Sequence, residues 1–181
     1  MDYRELFDSM FPDFFTGDHI RQMQPERVFA ELVMDLRKER PRETGFQAPG
    51  GVTFGVYDGA IGPLRKAVAQ VDENWVRYFD ENTRAFCAFD GEEVVSFCIL
   101  SDWGRHQGLR VGGPGCVGTV PEYRERGIGL EMVRRATDIL RDEGFDISWI
   151  HYTHLARWYE KLGYQTVLTW NGKGFIPDGE R

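Results

Sequence analysis

The chain has 181 residues, enough for one well-filled core, with 41% hydrophobic residues and a mean hydropathy of −0.44. No apolar run is long enough to cross a bilayer, and a formal net charge of −7 argues against nucleic acid, whose phosphates demand a basic face. Cys87, Cys98 and Cys116 form no CxxC pair, and His151 and His154 flank an expected strand end, so neither a disulfide framework nor a metal site is expected.

The N-terminus, MDYRELFDSMFPDFF, is acidic and broken by Pro12, unlike a signal peptide, which predicts a cytoplasmic protein. An acidic surface would attract a cationic substrate, although most proteins of this isoelectric point have no such partner. Residues 1–45 read as a helical extension, separate from a mixed α/β domain over 46–181. Within the extension, Val28, Leu32 and Leu36 recur every four residues, with Phe29 and Val33 widening the stripe and Pro25 suited to a first turn, which predicts an amphipathic helix.

VTFGVY (52–57) reads as a short strand and residues 63–79 as one or two short helices. RAFCAFDGEEVVSFCIL is a hairpin turning at Asp90-Gly91. SDWGRHQGLRVGGPG (101–115) reads as a Gly-rich loop and CVGTV (116–120) as a strand. A helix follows from about Gly127 to Glu143, stopped by Gly144. Then come a strand (145–152), a helix (154–162), a strand (164–170) and a return strand after Asn171-Gly172.

The main chemical signal is CVGTVPEYRERGIGLEMV. A strand ends at Val120, Pro121 breaks it, and the chain enters a helix at Arg126-Gly127-Ile128-Gly129. Glycines there accept unusual backbone angles and let a ligand approach the main chain. The first N–H groups of a helix lack internal partners and lie at the positive end of its dipole, so an anionic phosphate fits, with Arg124 and Arg126 adding charge at the rim. GxxxxGK[ST] is absent, and GxGxxG fails because its third glycine position holds Met132. Read alone, the string is a helix start with glycines for chain geometry.

The string also fits R/Q-x-x-G-x-G/A through Arg124, Gly127 and Gly129. A second segment, ARWYEKLGYQTV, carries Ala156, Trp158, Tyr159, Glu160, Leu162, Gly163 and Tyr164 in an aromatic-Tyr-Glu-x-Leu-Gly-aromatic run. Together they resemble the acetyl-coenzyme A loop and the later motif of the GNAT superfamily of N-acyltransferases, over roughly 115–170. The resemblance implies a central, mostly antiparallel sheet splayed at the coenzyme-binding strand, with helices on both faces beside the helical N-terminal segment.

It also implies an N-acetyltransferase. Gly118, Thr119 and Val120 would hold the pantetheine arm, and the backbone of Arg124, Glu125, Arg126, Gly127, Ile128, Gly129 and Leu130 the pyrophosphate. Tyr159 would be the general acid, where the plain reading is an aromatic packed beside Trp158. An oxyanion hole near Val120 and direct attack by a primary amine in a ternary complex follow. Acetyl-coenzyme A would be the co-substrate, with no metal. The acceptor would be a small-molecule or peptide amine, with no nucleic acid or membrane partner and a homodimer left open.

Tyr152 stands where many members carry an asparagine. The strand 116–120 lacks a carboxylate, so His151 becomes the candidate base, with Asp102 and His106 as loop alternatives. Trp103, Trp149 and Trp158 are candidates for an aromatic wall. A rival reading is a non-catalytic coenzyme A-sensing module with the same fold.

Overall fold

The computed structural model describes residues 1–48 and 50–177. In chain order the elements are α1 (Tyr3–Met10), α2 (Asp18–Arg21), β1 (Phe29–Asp35), β2 (Val52–Val56), α3 (Ile61–Ala69), β3 (Ala85–Asp90), β4 (Glu93–His106), β5 (Leu109–Thr119), α4 (Ile128–Asp142), β6 (Ile147–Thr153), α5 (Ala156–Glu160), β7 (Gln165–Asn171) and β8 (Gly174–Phe175). Short 3-10 turns at Phe14–Thr16, Glu73–Tyr78 and Pro121–Tyr123 link them. The strands form one mixed sheet in the order β2-β3-β4-β5-β6-β1-β7-β8. α4 and α5 cover one face through a core that includes Leu32, Met34, Cys98, Leu100 and Ile150. α3 and α1 cover the other, over Cys87 and Phe97 and over Val33 and Trp149 respectively.

Two expectations from the sequence are corrected. The amphipathic helix expected beyond Pro25 is strand β1, paired on both sides, with β6 and with β7. Phe29 to Met34 are buried on both faces, so no polar face alternates with the apolar one. A doubly covered strand reads as a continuous apolar run, which periodicity cannot separate from a helix. The N-terminal segment is therefore helical only as far as Arg21.

The Gly-rich stretch 101–115 is not a loop either. β4 and β5 run on as a long hairpin that turns at Gln107-Gly108, both with positive φ (51° and 79°), the signature of a two-residue I′ turn. A Cβ on Gly113 would collide with the Trp149 carbonyl, and one on Gly112 with the Ser101 carbonyl and the Phe145 ring. These glycines let strands approach closely.

β5 and β6 are the only parallel neighbours among the described strands, and they stay paired over just Val111↔Ile147 and Gly112↔Ser148. Beyond that point they separate, and each carries a bulge. On β5, Cys116 and Val117 lie between the partners of Phe97 and Ile99, with Cys116 at φ 46°. On β6, His151 and Tyr152 face the single residue Glu31, with Tyr152 at φ 58°. A bulge bends its strand and raises its twist, so these two widen the split.

α4 begins at the far side of this split. Its first turn is pinned by Glu131, which accepts hydrogen bonds from Thr44 Oγ1 (2.6 Å), Arg134 Nε (2.8 Å) and Arg135 Nε (2.7 Å). Burial alone would raise this carboxyl. The hydrogen bonds from Arg134, Thr44 and Arg135 outweigh it and hold the group at about 2, below the usual 4.5. A depressed folded-state pKa contributes stability that is full above 4.5 and lost as pH falls towards 2. Glu131→Gln should therefore destabilise the protein by about 1–3 kcal/mol at pH 7 in urea titration, with the gap closing between pH 4.5 and 2.

Candidate active site

Two cavities lie along β5, one on either side of its bulge. Val117, Gly118 and Thr119 of β5 line one, of about 530 Å³, with the loop before α4 and with His154, Trp158 and Tyr159. Pro114, Gly115 and Cys116 line the other, of about 620 Å³, with His151 and Tyr152 of β6. Successive residues of one strand thus pass from one cavity to the other at the Cys116–Val117 bulge.

In the first cavity the 3-10 turn after Val120 leads into Glu125 and Gly127, both left-handed (φ 62° and 78°). The N–H groups of Glu125, Arg126, Gly127, Ile128, Gly129 and Leu130 have no acceptor among the described residues, and the first bond of the helix start runs from Glu131 N–H to Gly127 O at 3.1 Å. A run of unused donors at a helix N-terminus is an anion cradle. A Cβ on Gly129 would come within 2.7 Å of Thr119 Oγ1, filling the space between loop and strand.

Two residues expected at the cradle, and Val120 of the pantetheine strand, differ in detail. The Arg124 N–H donates to Pro121 O (3.2 Å), and its guanidinium turns back onto Thr119 O (3.0 Å). Arg126 lies over the Tyr123 ring at 5.0 Å and does not line the cavity. The Val120 N–H, expected near the oxyanion, donates to Val95 O at 2.9 Å. Backbone alternation along β5 then turns the Thr119 N–H away from β4 and into the split, and Val117, in the bulge, has no partner residue on β4.

Tyr159 is 6% exposed, and no described residue hydrogen-bonds its hydroxyl, which keeps contact with the cavity. Burial pushes its pKa well above 10, so it stays protonated.

His151 lines the second cavity and is organised by a residue the sequence reading missed. Glu31 is fully buried, and each of its oxygens accepts two donors. Trp149 Nε1 (2.6 Å) and His151 Nδ1 (2.9 Å) donate to Oε2. Trp170 Nε1 (2.8 Å) and the Tyr152 N–H (3.1 Å) donate to Oε1. An ionised carboxylate offers about four acceptor sites, all used here, so Nδ1 carries the proton and Nε2 keeps its lone pair for the cavity. Phe11 stacks on the imidazole at 4.0 Å and 12°, fixing its plane.

Asp102 and His106 lie outside this site. Asp102 accepts from Arg110 Nη2 (2.8 Å) within the β4–β5 hairpin, and His106 bonds the Trp103 carbonyl and the Ser9 hydroxyl of α1. Trp149 is core, Trp158 lines the first cavity and Trp103 the second. Burial raises the Cys116 thiol to about 11, which suppresses the thiolate at neutral pH.

A family model for the acetyltransferase (GNAT) family matches residues 55–164, more than half of the chain. The chain belongs to the GNAT family. Among curated proteins the chain has no match. Among solved structures it is similar to the GCN5-related glucosamine N-acetyltransferase region of a fungal multi-domain GH3 β-N-acetylglucosaminidase, at 20% identity and TM-score 0.65 over 80% of this chain and 20% of that one. It is also similar to GCN5-related N-acetyltransferases from Sphaerobacter thermophilus (16% identity, TM-score 0.59, 81% and 50% coverage) and Kribbella flavida (19%, 0.58, 87% and 62%). The chain spans less than two thirds of each of these proteins, and at such identities the likeness is one of fold. The GNAT match begins within β2 and so leaves out β1 and Glu31.

If the backbone carries the phosphate grip, Gly129→Val should weaken coenzyme A binding by at least about tenfold in calorimetry and Arg126→Ala by less than about threefold.

Proposed function

We propose that this GNAT domain transfers an acetyl group from acetyl-coenzyme A to a primary amine by direct attack in a ternary complex. The observation that carries the reading is the split between β5 and β6, which joins a phosphate-sized cradle of free N–H groups to a cavity with an ordered imidazole. On this reading the pyrophosphate rests on the N–H groups of Glu125 to Leu130. The pantetheine arm follows Val117, Gly118 and Thr119 into the split. Its thioester then lies beside the Cys116–Val117 bulge, where the lining of one cavity gives way to that of the other.

His151 acts as general base. Its Nε2 takes a proton from the incoming ammonium, directly or through a water, and Glu31 stabilises the imidazolium that forms. The amine attacks the thioester carbonyl, and the main-chain N–H of Val117, in the bulge and without a β4 partner residue, donates to the oxyanion. As the C–S bond breaks, Tyr159 gives its proton to the leaving sulfur, and the tyrosinate takes back the second proton that the former amine nitrogen must lose to become the neutral amide. Burial holds the phenol protonated, so its proton is in place for the sulfur as negative charge develops there. Cys116, held as a thiol, serves no covalent step.

His151→Asn should lower kcat by about 10²-fold near pH 7 and leave coenzyme affinity unchanged. The loss should shrink as pH rises towards the pKa of the acceptor amine, which then arrives already deprotonated. Tyr159→Phe should lower kcat by about 10–100-fold across the same range. Thiol release from acetyl-coenzyme A with a panel of amines measures both. Tight coenzyme binding with no release for any amine is what the coenzyme-sensing module expects.

A further inference from the structure

The second cavity has a chemistry that differs from the surface around it. The protein is acidic overall, yet no Asp or Glu lines this cavity among the described residues. Phe14, Trp75, Trp103 and Tyr152 supply its walls, each from a different element. At about 620 Å³ it suits a small molecule and not an extended chain.

The charged side chain among its lining residues is a cation. Arg77 stands at its rim, exposed, with Nη2 donating to Tyr78 Oη (2.9 Å) and with no carboxylate partner among the described residues. His19 also lines it. Arg27 lies behind the same wall, its guanidinium 5.0 Å over the Phe29 ring, which packs edge-on against Tyr152 at 4.6 Å. Arg27 likewise has no ion-pair partner among the described residues.

Two carboxylates come close without facing the cavity. Asp72 caps the turn at Glu73–Tyr78 by accepting from the Asn74 N–H (2.9 Å) and Nδ2 (3.2 Å). Glu31 is fully buried, with its oxygens taken. A polyamine, an aminoglycoside or a lysine-rich peptide would bring several ammonium groups against Arg77, Arg27 and His19 with no carboxylate to meet them.

We propose that the acceptor is an amine with an apolar, preferentially aromatic, body that also carries an anionic group, as an α-amino acid does. This rests on the acetyl-transfer reading above. The amine meets His151, the apolar body lies among Phe14, Trp75 and Trp103, and the anion pairs with the Arg77 guanidinium, whose fork matches a carboxylate. The acidic exterior, which by itself would favour a cationic acceptor, does not extend into the cavity.

Matched acceptors test this on the full chain with acetyl-coenzyme A. The pairs are phenylalanine against phenethylamine and leucine against 3-methylbutylamine, with spermidine as the polycation. Thiol release should give a kcat/KM at least about tenfold higher for the carboxylated member of each pair. Arg77→Ala should abolish that preference by raising KM for the carboxylated member alone, with the KM for acetyl-coenzyme A unchanged. Preference for the decarboxylated twin or for spermidine, or an equal effect of Arg77→Ala on both members, overturns the proposal. If no amine is turned over while coenzyme A still binds, the acetyl-transfer reading fails instead. The pairs are then compared as ligands by calorimetry in the presence of coenzyme A. Tighter binding of the carboxylated member, lost in Arg77→Ala, upholds the anion site, and equal or reversed binding overturns it.

Discussion

The buried carboxylate of Glu31 is the interaction on which this end of the molecule depends. It sits where β1, β6 and β7 meet and receives indole N–H groups from β6 and β7, a main-chain N–H from the β6 bulge and an imidazole N–H beside it. A buried charge is tolerated only when its lone pairs are satisfied, and removing a partner from such a group typically costs about 3–5 kcal/mol. The left-handed backbone at Tyr152 turns that residue's N–H to an oxygen of Glu31, so the strain of the bulge and the satisfaction of the charge are one feature. The aromatic cluster of the N-terminal segment closes over the result, with Phe7, Phe11 and Phe14 all packed on His151.

The second constraint is backbone geometry. A parallel pair that survives for only two residue pairs leaves unpaired peptide groups along both strands, and such groups seek a partner. The long β4–β5 hairpin holds β5 from its other side, so the strand stays rigid where it leaves β6. The split therefore persists as a groove lined by donors, one end on the start of α4 and the other on the imidazole of β6. On the proposed reading, binding and chemistry share this one defect in the sheet.

The turn and helix start at 121–130 were legible because their determinants are local. Pro121, Gly127 and Gly129 lie within nine residues, and each has a steric reason to be what it is. Tyr159 came from an equally compact run. Strand β1 was not legible, because burial on both faces erased the alternation that marks a strand. Glu31 was hidden for a related reason: its partners lie more than a hundred residues away, so nothing near it in sequence shows that its charge is matched. The glycines of 112–115 misled because a strand that needs close approach and a loop that needs freedom use the same residue. His151 was named on its chemistry alone, and only the fold supplies the carboxylate that orients it.

The central claim is that Glu31 fixes the proton of His151 on Nδ1 and leaves Nε2 free towards the second cavity. Nitrogen-15 NMR of the histidine-labelled protein at roughly pH 8, where an imidazole is ordinarily neutral, reads the tautomer directly. The account requires an Nδ1–H signal and a bare Nε2 for His151. An Nε2–H tautomer would contradict it.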